Sequence, residues 1–154
     1  MEKKQYFFVI LIPAIIAGLF SLAPTIYQKI TEPKVNFNYS ISQGPTIQED
    51  SFYKKIIVVT INNDGQKLIN NINGQIFFEN GLIKSYSFKD TNLLTPNVTN
   101  NINDICFKIQ SMLPSDSISF SLLIEATIEN PQLNISIRSD ESLAIDNNTI
   151  TINL

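Results

Sequence analysis

From Tyr6 to Tyr27 the chain reads YFFVILIPAIIAGLFSLAPTIY, twenty-two residues without a single charge. A helix rises ~1.5 Å per residue, so this run reaches about 33 Å, the hydrocarbon thickness of a bilayer. It is apolar on every side, which a helix packed on a small domain does not need to be. Tyr6 and Tyr27 stand at its two ends, where amphipathic rings favour the headgroup level. The run predicts a transmembrane helix over 6–27 that is retained as a signal anchor. A cleaved signal peptide is the rival: Lys3 and Lys4 precede the run, and Ser21-Leu22-Ala23 offers small residues for cleavage. Against it, the run is long for a signal peptide and Pro24 would directly follow the cut. Pro24 is also expected to mark where the helix loosens. Ala14, Ala17, Gly18 and Ser21 put small residues three or four apart, a face that would seat another helix.

The predicted organisation is a tail over 1–5, the span over 6–27, a linker over 28–34 and one β domain over 35–154. Lys3 and Lys4 before the span and Lys29 and Lys34 after it nearly cancel as orienting charges. The β domain is poor in charge and rich in Asn, Ser and Thr. It carries Asn-x-Ser/Thr acceptors at Asn38, Asn97, Asn134 and Asn147. These features predict a single-pass membrane protein with its β domain outside the cytoplasm.

Beyond residue 34 the hydrophobic period is two. Val35, Phe37, Tyr39 and Ile41 alternate with polar residues until Gly44-Pro45 breaks the strand. KKIIVVTI, residues 54–61, is β-branched on both faces and predicts a central strand. Asn62-Asn63-Asp64-Gly65 predicts a turn using residues that tolerate positive φ. A strand over 69–79 follows, and Asn80-Gly81 predicts a two-residue hairpin into 82–88. Residues 89–103 read as a long loop. Further strands follow near Ile105–Ile109, Ser117–Glu125, Leu133–Ile137 and Thr149–Leu154. Seven or eight short strands predict an all-β, antiparallel sandwich.

VVTINNDGQKLINNINGQIFF and MLPSDSISFSLLI add a family reading. The first resembles the strand–turn–strand of immunoglobulin-like modules of the cell-adhesion-related type in bacterial and archaeal surface proteins, with Asn63 and Gly65 in the turn. The second is similar to the Leu-Pro-Gly-x-Ser opening of a strand in the same modules. Leu113, Pro114 and Ser117 match, and Ser115 stands where Gly is usual. The two stretches cover about a quarter of the chain. The resemblance implies an immunoglobulin-like sandwich serving as an extracellular adhesive or spacer module.

The chemistry open to such a chain is narrow. It has no His, so a Ser-His-Asp arrangement is impossible and the commonest metal ligand is missing. Cys106 is alone, which excludes an intrachain disulfide and reads as a small buried apolar residue. Arg138 is the only arginine and the net charge is −3, so nothing marks a nucleic-acid partner. Asn62, Asp64 and Gly65 faintly echo a calcium loop without its downstream Glu. Asp140, Glu141 and Asp146 read as a solvated loop. The expectation is a non-enzyme with no cofactor and no metal. Its partners would be the bilayer through residues 6–27 and a protein or cell-surface polymer. The alternatives are an accessory subunit of a larger membrane complex and a pilin-like filament subunit. The pilin-like reading lacks the Glu expected early in the apolar run.

Overall fold

A computed structural model describes residues 12–147, except 91 and 93. The chain divides into two compact units at the Pro33/Lys34 boundary. The first unit holds helix α1, Ile12–Thr31. Its beginning, 6–11 of the predicted span, lies outside the described residues. Among the described residues no helix is long and apolar enough to cross a membrane.

Two expectations about this segment are corrected. Pro24, the expected point of loosening, lies inside the helix, which continues to Thr31. Pro24 removes one i→i−4 hydrogen bond, a loss the helix accommodates. The helix also takes in residues 28–31 of the predicted linker. It ends at Thr31, two residues before Pro33, as chains do ahead of a proline.

The second unit is a two-sheet β-sandwich. Its strands are β1 Phe37–Glu49, β2 Phe52–Asn63, β3 Ile69–Glu79, β4 Gly81–Asp90, β5 Asn97–Asn100, β6 Asp104–Met112, β7 Ser117–Ala126, β8 Gln132–Arg138 and β9 Ile145–Asp146. The five-stranded sheet runs β4-β7-β2-β1-β9 and the four-stranded sheet β5-β6-β3-β8. Every described pairing is antiparallel except β1 with β9, which is parallel. The predicted last strand, 149–154, lies outside the described residues.

Period-two patterning places the core. β7 alternates strictly, sending Ile118, Phe120, Leu122, Ile124 and Ala126 inward. They meet Ile57, Val59 and Ile61 from β2 and Ile72, Ile76 and Phe78 from β3. Phe107 stacks on Phe120 across the two sheets with centroids 4.6 Å apart. β2 does not bury both faces as its sequence suggests. Ile56, on the outer side of this sheet, is exposed.

Local signals were re-used in ways their dipeptides do not reveal. Asn80-Gly81 makes no hairpin: β3 and β4 lie in different sheets, and the dipeptide is a corner between them. Asn80 alone adopts positive φ there, at 60°. Gly44-Pro45 does not end β1. The strand continues through an irregularity between Gln43 and Thr46. The predicted loop over 89–103 contains β5, four residues long. The tight hairpin is at Asp50-Ser51, where Glu49 pairs with Phe52.

The two stretches that carry the family resemblance meet in space, at one end of the sandwich. Asn63, fully buried, donates its side-chain amide to the carbonyls of Lys67 (2.8 Å) and Met112 (3.0 Å). Its Oδ1 accepts the Gly65 N–H at 3.1 Å. Its backbone pairs with Ser115 and Asp116 in the β6–β7 turn. Gly65 is needed here for closeness rather than for positive φ. An added Cβ would lie 2.6 Å from Asn36 N and 2.7 Å from Lys34 O.

In that turn Ser115 has φ 70°, a left-handed conformation that suits glycine. Ser115→Gly is expected to raise stability by about 0.5 kcal/mol, relief of strain outweighing the added chain freedom. A thermal unfolding midpoint that falls would contradict this.

Candidate functional site

The sequence-derived site residues do not converge. Asn38 is 2 % exposed. Its amide nitrogen donates to Asp64 at 2.8 Å, and its oxygen accepts from Asn62 (3.3 Å) and Asn147 (2.9 Å). As an acceptor for a sugar it is closed in the folded domain. Asn97, Asn134 and Asn147 are exposed. On α1, Ala14, Ala17, Gly18 and Ser21 are exposed, and nothing lies within 4 Å of a Cβ added at Gly18. The Ser21 hydroxyl donates to the Gly18 carbonyl at 2.8 Å.

The acidic loop has structural work. Glu141 accepts the Asn70 backbone N–H and its side-chain amide, each at 3.0 Å, and Asp140 accepts Asn71 Nδ2 at 2.6 Å. These bonds pin the start of β3. The Asn70 N–H, outweighing partial burial, holds the Glu141 carboxyl below its ordinary value. Among the described residues no three His, Cys, Asp or Glu side chains gather where a metal ion would bind.

One feature does gather chemistry: the outward face of the four-stranded sheet. Register places Asn97, Lys108, Asn73 and Arg138 in one row across β5, β6, β3 and β8. The neighbouring row is Thr99, Cys106, Gln75 and Ser136. All eight line a depression of about 510 Å³. The two long cations stand on β6 and β8, with Asn73 of β3 between them.

Neither Lys108 nor Arg138 is ion-paired among the described residues, whereas Lys54 and Lys84 pair with Glu49 and Glu125. The amides between the cations are partly committed. Asn73 Nδ2 donates to Asn71 O at 2.8 Å, and Gln75 Nε2 to Asp104 Oδ2 at 3.0 Å. Each keeps a carbonyl oxygen and one N–H for other partners. The row therefore places a neutral amide, able to accept and to donate, between two positive charges.

Cys106 corrects its sequence reading. It is half-buried on this outer face, not in the core, with Sγ 3.6 Å from Asp104 Oδ2. Burial, then the Asp104 charge and hydrogen bond, push the thiol above its ordinary value. Burial pushes the Asp104 carboxyl up, but hydrogen bonds from Gln75, Asn101 and Cys106 prevail and hold it below its ordinary value. A thiol so placed is a poor nucleophile at neutral pH. Its alkylation by iodoacetamide at pH 7.5 is expected to be at least several-fold slower than that of an unstructured peptide thiol. Asp104→Asn is expected to speed it; an unchanged rate would remove Asp104 as the cause.

Single-sequence reasoning missed this face. Alternation predicts that each strand has a polar side. It does not say that β6, β3 and β8, separated by other strands in the chain, lie side by side.

No family model matches the chain, and no curated protein matches it. Solved structures do. A chitin-binding domain from Streptomyces coelicolor is 14 % identical, with 67 % of this chain and 90 % of that one covered, at a TM-score of 0.44. A non-cellulosomal cohesin from the archaeon Archaeoglobus fulgidus is 17 % identical over 72 % of this chain and 86 % of its own, at 0.46. A biomass-sensoring module from Clostridium thermocellum, resembling a family 3 carbohydrate-binding module, is 8 % identical over 73 % and 96 %, at 0.40.

Proposed function

We propose that this protein is a non-catalytic binding module of the cell surface, and that the outer face of its four-stranded sheet is the contact surface. The observation that carries the reading is the depression on that face. It is open, polar and flanked by two cations without ion pairs among the described residues. On an acidic chain, two cations without ion pairs on one face favour a partner that brings negative charge. The charge-free run from Tyr6 to Tyr27 serves as the anchor, and the β domain lies outside the cytoplasm, an immunoglobulin-like module of the adhesion type.

Two experiments test the two halves. Protease added to intact cells should digest the β domain; a domain cut only after lysis would reverse the placement. A photo-crosslinking residue at Asn73, in the full chain in its own membrane, should capture material that the same residue at Ser40 on the opposite sheet does not. Equal capture at both positions would remove the face from the argument.

A second reading has its own support. Ile15, Ile16, Phe20 and Leu22 of α1 are exposed, and the space beside Gly18 is open. Apolar surface of this kind needs lipid or another helix to cover it. An accessory subunit of a membrane complex would use the Ala14, Ala17, Gly18 and Ser21 face for that contact. Gentle detergent extraction followed by native sizing should then give a particle larger than the single chain, and a lone monomer would reject it.

A further inference from the structure

We infer that the depression on the four-stranded sheet takes an acidic polysaccharide, a ligand class that deepens the binding-face reading and rests on it. The Lys108 and Arg138 strands are two apart in the sheet, so their backbones stand about 10 Å from each other. The depression is open at the surface rather than enclosed, which suits an extended chain better than a compact ligand. Arg138 offers the planar fork that grips a carboxylate through two hydrogen bonds, and Lys108 a second, compact charge.

The side chains between the cations decide the rest of the chemistry. Asn73 and Gln75 each commit one amide N–H internally, which leaves each a carbonyl oxygen and one N–H for a ligand. These amides both accept and donate, so a ligand that does both suits them. Thr99 and Ser136 add hydroxyls, which donate or accept, and Asn97 an amide. Sugar hydroxyls both donate and accept at every ring, whereas a polyphosphate chain only accepts and would leave the carbonyl oxygens unmet. A nucleic acid would want several more phosphate contacts than two cations provide. The depression holds no exposed aromatic platform, since Phe107 is buried beneath it. Recognition is therefore polar and charge-assisted, and it weakens with salt.

The test uses the full chain in lipid nanodiscs with three probes: polygalacturonate, fully methyl-esterified polygalacturonate and inorganic polyphosphate. Polygalacturonate is expected to bind, with affinity falling as sodium chloride is raised. The methyl ester should bind at least tenfold more weakly. Arg138→Gln and Lys108→Gln should each lower polygalacturonate affinity fivefold or more without changing the thermal unfolding midpoint. Arg138→Lys should recover only part of the loss, because it restores the charge and not the fork. Equal binding of ester and acid would overturn the acidic class, and so would indifference to both cations. Polyphosphate binding as tightly as polygalacturonate would overturn the saccharide. If no probe binds while the Asn73 crosslink still captures a partner, this inference fails and the contact face stands. If the crosslink also fails, the face itself is wrong.

Discussion

Gly74→Ala is expected to lower stability by about 3 kcal/mol, at or above the upper end of what overpacking usually costs. A Cβ at Gly74 would stand 2.0 Å from Phe107 Cζ and 2.4 and 2.5 Å from its neighbouring ring carbons. The ring has nowhere to go. It is 1 % exposed and stacked on Phe120 at 4.6 Å, itself fully buried. The backbone is held too, since β3 is paired on both sides, with β6 and with β8. Either Phe107 leaves its rotamer or the middle of the four-stranded sheet bends away. Urea unfolding of the full chain should show the lowered midpoint. A double variant, Gly74→Ala with Phe107→Leu, should recover part of the loss, since the smaller side chain vacates the ring's far edge. An unchanged midpoint in the single variant would mean that the two sheets are packed more loosely than described. Gly74 also lies between Asn73 and Gln75, so whatever survives of the fold should carry a distorted binding face.

Asn63→Ala is expected to cost about 2–4 kcal/mol, from one buried and two part-buried backbone hydrogen bonds losing their partner at once. The carbonyls of Lys67 and Met112 and the N–H of Gly65 all depend on the one side-chain amide. No water reaches a residue that is 0 % exposed. Asn63→Asp separates the contributions. The carboxylate keeps the acceptor for Gly65 but cannot donate to either carbonyl, and it buries a charge. Burial raises the folded-state pKa of that introduced acid above its unfolded value. Its penalty should therefore be smallest in acid and grow as pH rises through the folded value. Chemical denaturation at pH 4 and pH 8 would show the difference. Equal stability of Asn63→Asp and the parent at pH 8 would contradict the role assigned to the side-chain donors.

These two positions also show what was legible in the sequence. Alternation along Ser117–Ala126 gave that strand and its inward face nearly residue for residue, because one buried side leaves little freedom in register. Asn63 and Gly65 were recognisable as a turn. The reason for them was not, because Gly65 is required by the approach of Lys34 and Asn36, distant in sequence. Asn80-Gly81 misled for a related reason. The dipeptide permits a tight change of direction, and only the tertiary packing decides whether the chain returns to the same sheet or crosses to the other. Val98 and its neighbours in β5 were lost in a polar stretch, since four residues carry too little alternation to be read. The proposed contact face was invisible as a site. Lys108 and Arg138 are unremarkable alone, and only the register of β6 and β8 on β3 brings them into one row. Cys106 was misassigned because burial is usual for the residue type and its strand's polar side was not tracked.

The order of the strands has a consequence for how the domain is made. The chain builds β1 and β2 in one sheet, β3 in the other, β4 back in the first, and continues to trade sides as far as β9. Neither sheet can be completed from a contiguous stretch. β3, at the heart of its sheet, waits for β8, some sixty residues later in synthesis. Contacts this far apart in sequence make folding slow and leave unpaired strand edges exposed meanwhile. The domain is thus committed to folding late, after nearly all of it has been made, so a chain threaded through a membrane as it is synthesised would fold on the far side and not before.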